Sequence, residues 1–349
     1  MRVVHVVATD AFAGVERYVT TVTRELAARG HEVTVVGGDQ VRIGEALAGS
    51  GAHCVEGGRV HEAARALLRV GRGADLLHLH MTAAESAALM TWPLVRTPAI
   101  CTRHFAARRG SSAAGHVAAL LIPRRLSLQI AISRFVAASA GGGTVTILNG
   151  VPDAPATDPA SHTVLVVQRL EREKHTHEAL VAWAASGLAD DGWELLIAGH
   201  GAERSSLEEA GRRLQLRNVT FLGARPDVAD LRARAGMVLA TAPAEPFGLS
   251  VVEAMAAGLP VVAADGGAHV ETVGAVRPDH LYAPGAPDEC AVLLRRLAGS
   301  LDLRRAAGTE LRAFQQASLG VARHVDALEA SYREVLAARG PSALASSVS

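Results

Sequence analysis

The chain has 349 residues, 49% of them hydrophobic, which is long for one core and comfortable for two. Lysine plus arginine and aspartate plus glutamate balance at 35 each, so no net field recommends nucleic acid or general adsorption to a membrane, and a charged ligand has to be bound locally. Cys54, Cys101 and Cys290 are odd in number, far apart and without CxxC spacing, which argues against a disulfide framework or zinc site and fits reduced thiols in a cytosolic protein.

The opening "MRVVHVVATDAF" has one basic residue and an apolar run interrupted by His5 and Asp10, a poor signal peptide and a good first strand. No apolar run approaches the ~18 residues of a membrane span. The expected location is the cytoplasm, with peripheral contact at the inner face of the membrane left open.

Short apolar runs then alternate with helical stretches. "RVVHVVA", "EVTVVGG", "DLLHLH", "PAICTRH", "LQIAIS" and "TVTIL" read as strands, with helices such as Gly14 to Arg29 and His61 to Val70 between them. This is the pattern of βα units on a parallel sheet covered on both faces. The Pro, Ala and Asp segment "VPDAPATDPASH" breaks the pattern, and residues 152–161 are expected to be a linker. Alternation restarts with "TVLVVQRL", "WELLIAGHG", "NVTFLG", "MVLATAP" and "PVVAADGG". After about residue 287 only helices continue, and 340–349 read as a disordered tail. The fold class is therefore α/β, with two doubly wound sheets whose ligands sit beyond the carboxyl ends of the strands.

The chemistry gathers just after strands. "VVQRLEREKH" sets Arg169 and Lys174 five positions apart at a strand-to-helix transition, where two cations and helix amides can neutralise a diphosphate; a solvated charged loop is the alternative. In "AFAGVERYV", Gly14 could admit a phosphate at a helix start, but this is no GxGxxG fingerprint and an ordinary turn would look the same. "EPFGLSVVEAM" holds Glu245 and Glu253. Ser250 to Glu253 matches a capping box, which would give Glu253 a purely local role. Against this, the segment from Val251 to Gly258 is apolar nearly all round, so Glu253 needs a strong partner, and ligand hydroxyls would serve. A helix beginning near Phe247 puts the two carboxylates roughly 9 to 12 Å apart, suited to two contacts on one extended ligand. The amides of Phe247, Gly248 and Leu249 would then face a phosphate or sugar hydroxyl. His78 with His80, and His175 with His177, are i, i+2 pairs that supply only two metal ligands each, and polar-network roles are favoured.

"EPFGLSVVEAMAAGLPVV" resembles the E-x7-E signature of the GT4 family of retaining glycosyltransferases. The Gly14 loop, "DLLHLH", "CTRH", "ILNGV", "RLEREK", "AGHG" and "VTFLG" occur in that family's order, so the resemblance spans residues 1 to about 338. It implies the GT-B fold: two Rossmann-like domains facing a central cleft, 1–151 for the acceptor and 162–317 for the nucleotide-sugar donor, with a helix at about 318–338 crossing back to the first. It assigns Arg169 and Lys174 to the donor diphosphate, Glu253 to the ribose hydroxyls and Glu245 to the transferred sugar. Phe247, Gly248 and Leu249 mark the helix start at the donor, His104 faces the donor sugar and acceptor, and Gly14 lies near the phosphates. No metal or other cofactor is expected. Three departures stand out: Ala13 precedes Gly14 where the family has a second glycine, His175 replaces the glycine after the Glu-Lys pair, and Gly267 to Glu271 fits only with Ala268 as the second member of a glycine pair. "FAARRG" and "HVAALLIPRRL" place Arg108, Arg109, Arg124 and Arg125 around an apolar helix. That segment, 105–126, would suit an anionic or lipid-linked acceptor at a membrane surface, or is simply a packed helix with solvated arginines. A nicotinamide oxidoreductase, a sugar-nucleotide epimerase of the same fold and a catalytically silent glycan-binding relative are the competing functions.

Overall fold

A computed structural model describes residues 1–106, 113–140 and 143–338. Arg108, Arg109, Gly340 and the 340–349 tail lie outside the described residues. The chain divides into two compact units, Met1–Gly150 with Val321–Ser349, and Val151–Gly320.

The first unit carries a seven-stranded parallel sheet in the order β3-β2-β1-β4-β5-β6-β7. Its strands are β1 (Arg2–Val7), β2 (Glu32–Gly37), β3 (His53–Val55), β4 (Leu76–His80), β5 (Ala99–Arg103), β6 (Leu128–Ala131) and β7 (Thr144–Thr146). The helices are α1 (Gly14–Ala28), α2 (Gln40–Leu47), α3 (Val60–Val70), α4 (Met81–Thr91), α5 (Ala113–Arg125) and α6 (Arg134–Ala140), with α13 (Val321–Ala337) returning from the chain's far end. Strand period sorts the side chains onto two faces. Val3, Val7, Leu76 and Ile100 pack with Tyr18, Val22 and Leu26 of α1 and Leu328 and Tyr332 of α13. Val4, Val6, Leu77 and Leu79 pack with Ala66 and Leu67 of α3 and Ala84 and Ala88 of α4.

The second unit has six parallel strands in the order β10-β9-β8-β11-β12-β13. They are β8 (Thr163–Val167), β9 (Glu194–Ala198), β10 (Val219–Gly223), β11 (Met237–Ala240), β12 (Val261–Ala264) and β13 (Leu281–Tyr282). Around them lie α7 (Thr176–Ser186), α8 (Arg204–Arg213), α9 (Val228–Ala233), α10 (Leu249–Ala256), α11 (Pro287–Ala298) and α12 (Leu301–Ser318). The sequence pattern misses β3 and β13, which are edge strands of three and two residues, too short for any periodicity.

Residues 152–161 have no helix or strand, but they are not a free linker. Thr157 N donates to Ala257 O at 2.8 Å, and Arg304 Nε donates to Pro159 O at 2.8 Å. The buried Arg304 of α12 thereby ties the segment to the second unit, because a guanidinium inside a core needs every carbonyl it can reach. Among the described residues, no helix is long and apolar enough to cross a membrane.

Candidate active site

In each sheet the strand order reverses once, between β1 and β4 and between β8 and β11. Loops leaving a sheet at such a point diverge and open a crevice at the carboxyl ends of the strands. In the second unit these are the loops after β8 and after β11, and they carry Lys174 and Glu245. Lys174 Nζ donates to Glu245 Oε2 at 2.6 Å, with the two side chains 13% and 17% exposed. The two residues assigned to diphosphate and sugar thus lie together. Their backbone is held by a polar clamp: Gln168 Nε2 donates to Lys174 O, Thr176 Oγ1 and Thr241 Oγ1, and Thr241 Oγ1 donates to Lys174 O at 2.7 Å.

α10 starts at Leu249, with Gly248 as its N-cap at φ 83°, a left-handed conformation suited to glycine. Ser250 is therefore the second helical residue, and the capping box with Glu253 does not form. The glycine already turns the chain into the helix upstream of Ser250. Glu253 finds a different partner, accepting from Arg232 Nη1 of α9 at 2.7 Å, with the two side chains 16% and 14% exposed. Sequence reasoning foresaw the need for a strong partner and missed Arg232, because nothing local links two residues on different helices. The amides of Phe247, Gly248 and Leu249 have no acceptor among the described residues, as expected at a helix start.

Two features near Glu245 and Gly248 are not revealed by the spacing of motifs. The first is Gly266-Gly267. Gly267 takes φ 55°, and a Cβ there would sit 2.4 Å from both the N and the O of Glu245. Ala268 N donates to Glu245 O at 2.8 Å. The glycine pair is therefore 266–267, a correction of the alignment that began it at Gly267 and put Ala268 second. The second is His269, fully buried below Gly248. Its Nδ1 donates to Ala264 O at 3.1 Å, its Nε2 has no partner, and burial lowers its pKa.

Arg169 forms a 2.7 Å pair with Glu173 and is 55% exposed, so its guanidinium is loosely held and can be drawn to an incoming anion. His175 adopts φ 50°, which explains the glycine normally expected there: the position needs a left-handed residue, and histidine bears the strain.

Gly14 and His104 belong to the first unit. Gly14 is exposed at the first position of α1, and Ala13 before it is extended at φ −125°, so alanine fits without strain. Ala13 N donates to the buried Glu16 carboxylate at 2.7 Å. His104 follows β5 and lines a pocket with Met81, Thr82, Glu85, Thr102, Arg103 and Phe105. Met81 takes φ 68°, a strained conformation of the kind that marks functional turns. Arg124 is exposed, but Arg125 is 3% exposed and donates to Val95 O and Thr97 O. Arg125 is thus removed from the surface role the basic run suggested, because it caps carbonyls within the fold.

The fold and the sequence match known proteins. The crystal structure of Anabaena Alr3699/HepE in complex with UDP and glucose has a TM-score of 0.81 at 20% identity, covering 96% of this chain and 100% of that one. That of a glycosyltransferase from Rickettsia africae ESF-5 scores 0.78 at 16% identity, covering 96% and 98%. The fold is that of the GT-B glycosyltransferases. The Glycosyltransferase Family 4 model matches residues 12–153 and the Glycosyl transferases group 1 model matches residues 153–312, and the chain belongs to the GT4 family of glycosyltransferases. A phosphatidyl-myo-inositol mannosyltransferase of Mycobacterium leprae is 28% identical over 73% of this chain and 76% of its own. A 2-deoxystreptamine glucosyltransferase of Streptomyces kanamyceticus is 29% identical over 45% and 46%.

Proposed function

We propose that this glycosyltransferase moves a sugar, with retention of configuration and without metal, from a UDP- or GDP-sugar to a hydroxyl acceptor in the making of cell-surface glycan, glycolipid or a glycosylated natural product. The observation that carries the reading is the Lys174–Glu245 pair at the strand-order reversal, beside the open amides that begin α10. Transfer requires the charge growing on the leaving diphosphate to be stabilised as the sugar becomes oxocarbenium-like. Lys174 would exchange Glu245 for a phosphate oxygen, Arg169 would leave Glu173 for another, and the amides of Phe247, Gly248 and Leu249 would face the same charge. Glu245, freed of its ammonium, would accept from sugar hydroxyls while Glu253 accepts from the ribose. These cations do the work that a divalent ion does elsewhere, and the sequence has no convincing Asp-x-Asp metal motif. No carboxylate stands out as a covalent nucleophile, so front-face attack, with the leaving phosphate taking the acceptor proton, is the retaining route we favour.

The acceptor side is the first unit. Phe105, Leu120, Leu121 and Arg124 are each exposed, and such apolar and basic residues suit an anionic, lipid-linked acceptor at a membrane surface. The name of the M. leprae relative, a phosphatidyl-myo-inositol mannosyltransferase, supports the same class.

The test is calorimetry with UDP, GDP, ADP and TDP, with and without chelator, on the wild type, Arg169→Ala and Lys174→Ala. Selective binding of one diphosphate that survives chelation and is lost in the variants supports the reading. No binding by folded wild type overturns it. Conversion of the nucleotide sugar to its epimer with no acceptor present would favour the epimerase instead.

A further inference from the structure

Among the described residues, the first unit buries five histidines, His5, His78, His80, His104 and His324. Strand period explains why four of them meet. Residues 3, 5 and 7 of β1, 76, 78 and 80 of β4 and 100, 102 and 104 along β5 face α1 and α13, with His5 opposite His78 and His80 opposite Thr102. Five rings and three hydroxyls then sort into two kinds of contact. His78 places both nitrogens on hydroxyls, Tyr332 OH at 2.7 Å and Thr102 Oγ1 at 2.7 Å. His324 donates from Nδ1 to Leu148 O at 2.7 Å, and its Nε2 accepts from Tyr18 OH at 2.8 Å.

The other three rings form a chain of imidazoles. His5 Nδ1 lies 2.9 Å from His80 Nε2, and His80 Nδ1 lies 3.0 Å from His104 Nε2. At the inner end, His5 Nε2 is buried without a partner. At the outer end, His104 Nδ1 has no partner among the described residues, and the ring lines the pocket beyond β5. Burial lowers His5 and His104 to about 3 and His80 well below the ordinary imidazole value, so all three rings are neutral at physiological pH and each carries one N–H.

Three N–H groups, two shared hydrogen bonds and two free ends leave two fully bonded arrangements. With N–H on every Nδ1, His5 donates to His80, His80 donates to His104, and the last N–H emerges at His104 Nδ1. With N–H on every Nε2, the direction reverses and an N–H is stranded at the buried end on His5. A buried N–H without an acceptor is the rarer and costlier orphan, so the first arrangement prevails. We infer that His5 and His80 are positioning residues that hold His104 in the Nδ1–H tautomer, so that it offers a hydrogen-bond donor, and not a base, to an oxygen of whatever binds at the end of β5. That this oxygen belongs to the donor sugar or the acceptor rests on the transferase reading; the tautomer does not. The nitrogens of His5, His78 and His80 that lie within 4.8 Å of one another would be the natural alternative, a divalent-metal site. The two hydroxyl bonds of His78 and the close His5–His80 bond favour shared protons over a metal.

The experiment is two-bond proton–nitrogen correlation on protein carrying 15N-histidine, which reads each ring's tautomer directly, with His104 assigned by the signal that His104→Gln removes. Protonated Nδ1 and bare Nε2 at His104, at neutral pH, is the expected result; a protonated Nε2 overturns the inference. His5→Asn keeps an N–H where His5 Nδ1 stood and is expected to keep the tautomer. His5→Asp, when ionised, only accepts there and puts a proton on His80 Nε2. Where His80 stays neutral both bonds reverse, and kcat should then fall at least about tenfold below that of His5→Asn, with nucleotide affinity unchanged, whereas a doubly protonated His80 would show directly in the same spectra. If His5→Asp does not fold, the wild-type and His5→Asn spectra still decide. A stoichiometric divalent metal that copurifies, and whose removal shifts the His5 and His80 nitrogens, also overturns the chain of shared protons. The expected tautomer in a protein that transfers no sugar would uphold this inference and sink the transferase reading alone.

Discussion

Glu245 and Glu253 owe their positions to cations that sequence spacing does not reveal as neighbours. Each is largely buried against one, Lys174 at 2.6 Å and Arg232 at 2.7 Å. Removing one member of such a pair strands the other. Glu253→Gln should therefore lower the unfolding free energy of the second unit by about 1–3 kcal/mol, read by urea titration, and weaken nucleotide binding as well. The Lys174–Glu245 contact is directly testable as a coupling. In a double-mutant cycle of Lys174→Met and Glu245→Gln the stability effects should fall short of additivity by roughly 1–3 kcal/mol; strict additivity would mean the pair is incidental. Gly267 was legible as part of a glycine-rich turn. That its Cβ would strike the backbone of Glu245 was not, because the two residues lie on separate loops.

At the scale of elements, α10 shows what local sequence can and cannot say. A short apolar run and the closing Gly258 announce a helix, but a capping box at Ser250 and a glycine cap at Gly248 are both consistent with the string. Gly248 prevails because its left-handed turn directs the chain between Glu245 and His269. Gly248→Ala should cost about 1–2 kcal/mol of stability in thermal melts, since alanine resists φ 83°, and should loosen nucleotide binding by displacing the first amides of the helix. The strands β1, β4 and β5 show the complementary case. The i, i+2 histidines were recognised as sharing a face, and a polar network was the favoured reading, yet the partners Tyr18, His324 and Tyr332 come from helices at opposite ends of the chain.

At the scale of the molecule, these buried imidazoles make the first unit sensitive to acid. His5 and His104 are lowered to about 3 and His324 to about 4, from an ordinary 6.5. The unfolded chain binds protons on them below about pH 6.5 while the folded chain does not. The stabilisation is therefore complete above that pH and is lost as pH falls toward 3, at about 1.4 kcal/mol per pH unit for each histidine. Calorimetric melts should show a lower midpoint at pH 5 than at pH 7 for the transition of the first unit. Truncation before Val321 should abolish the folding of that unit, as seen by circular dichroism. It removes the buried Val325, Leu328, Tyr332 and Val335, a loss of roughly 6–12 kcal/mol at 1.5–3 per side chain, comparable to a whole domain's stability.

The sequence by itself determined the two α/β units, the alternation of strand and helix, the E-x7-E helix and the cationic loop after β8. These depend on periodicity and on turn residues, which are properties of neighbours along the chain. Only the tertiary structure decided that Lys174 meets Glu245, that Arg232 holds Glu253, that Arg125 faces inward and that residues 152–161 belong to the second unit. Each of these is a contact between residues far apart in sequence, and a parallel sheet brings such residues together through its strand order, which no local pattern encodes.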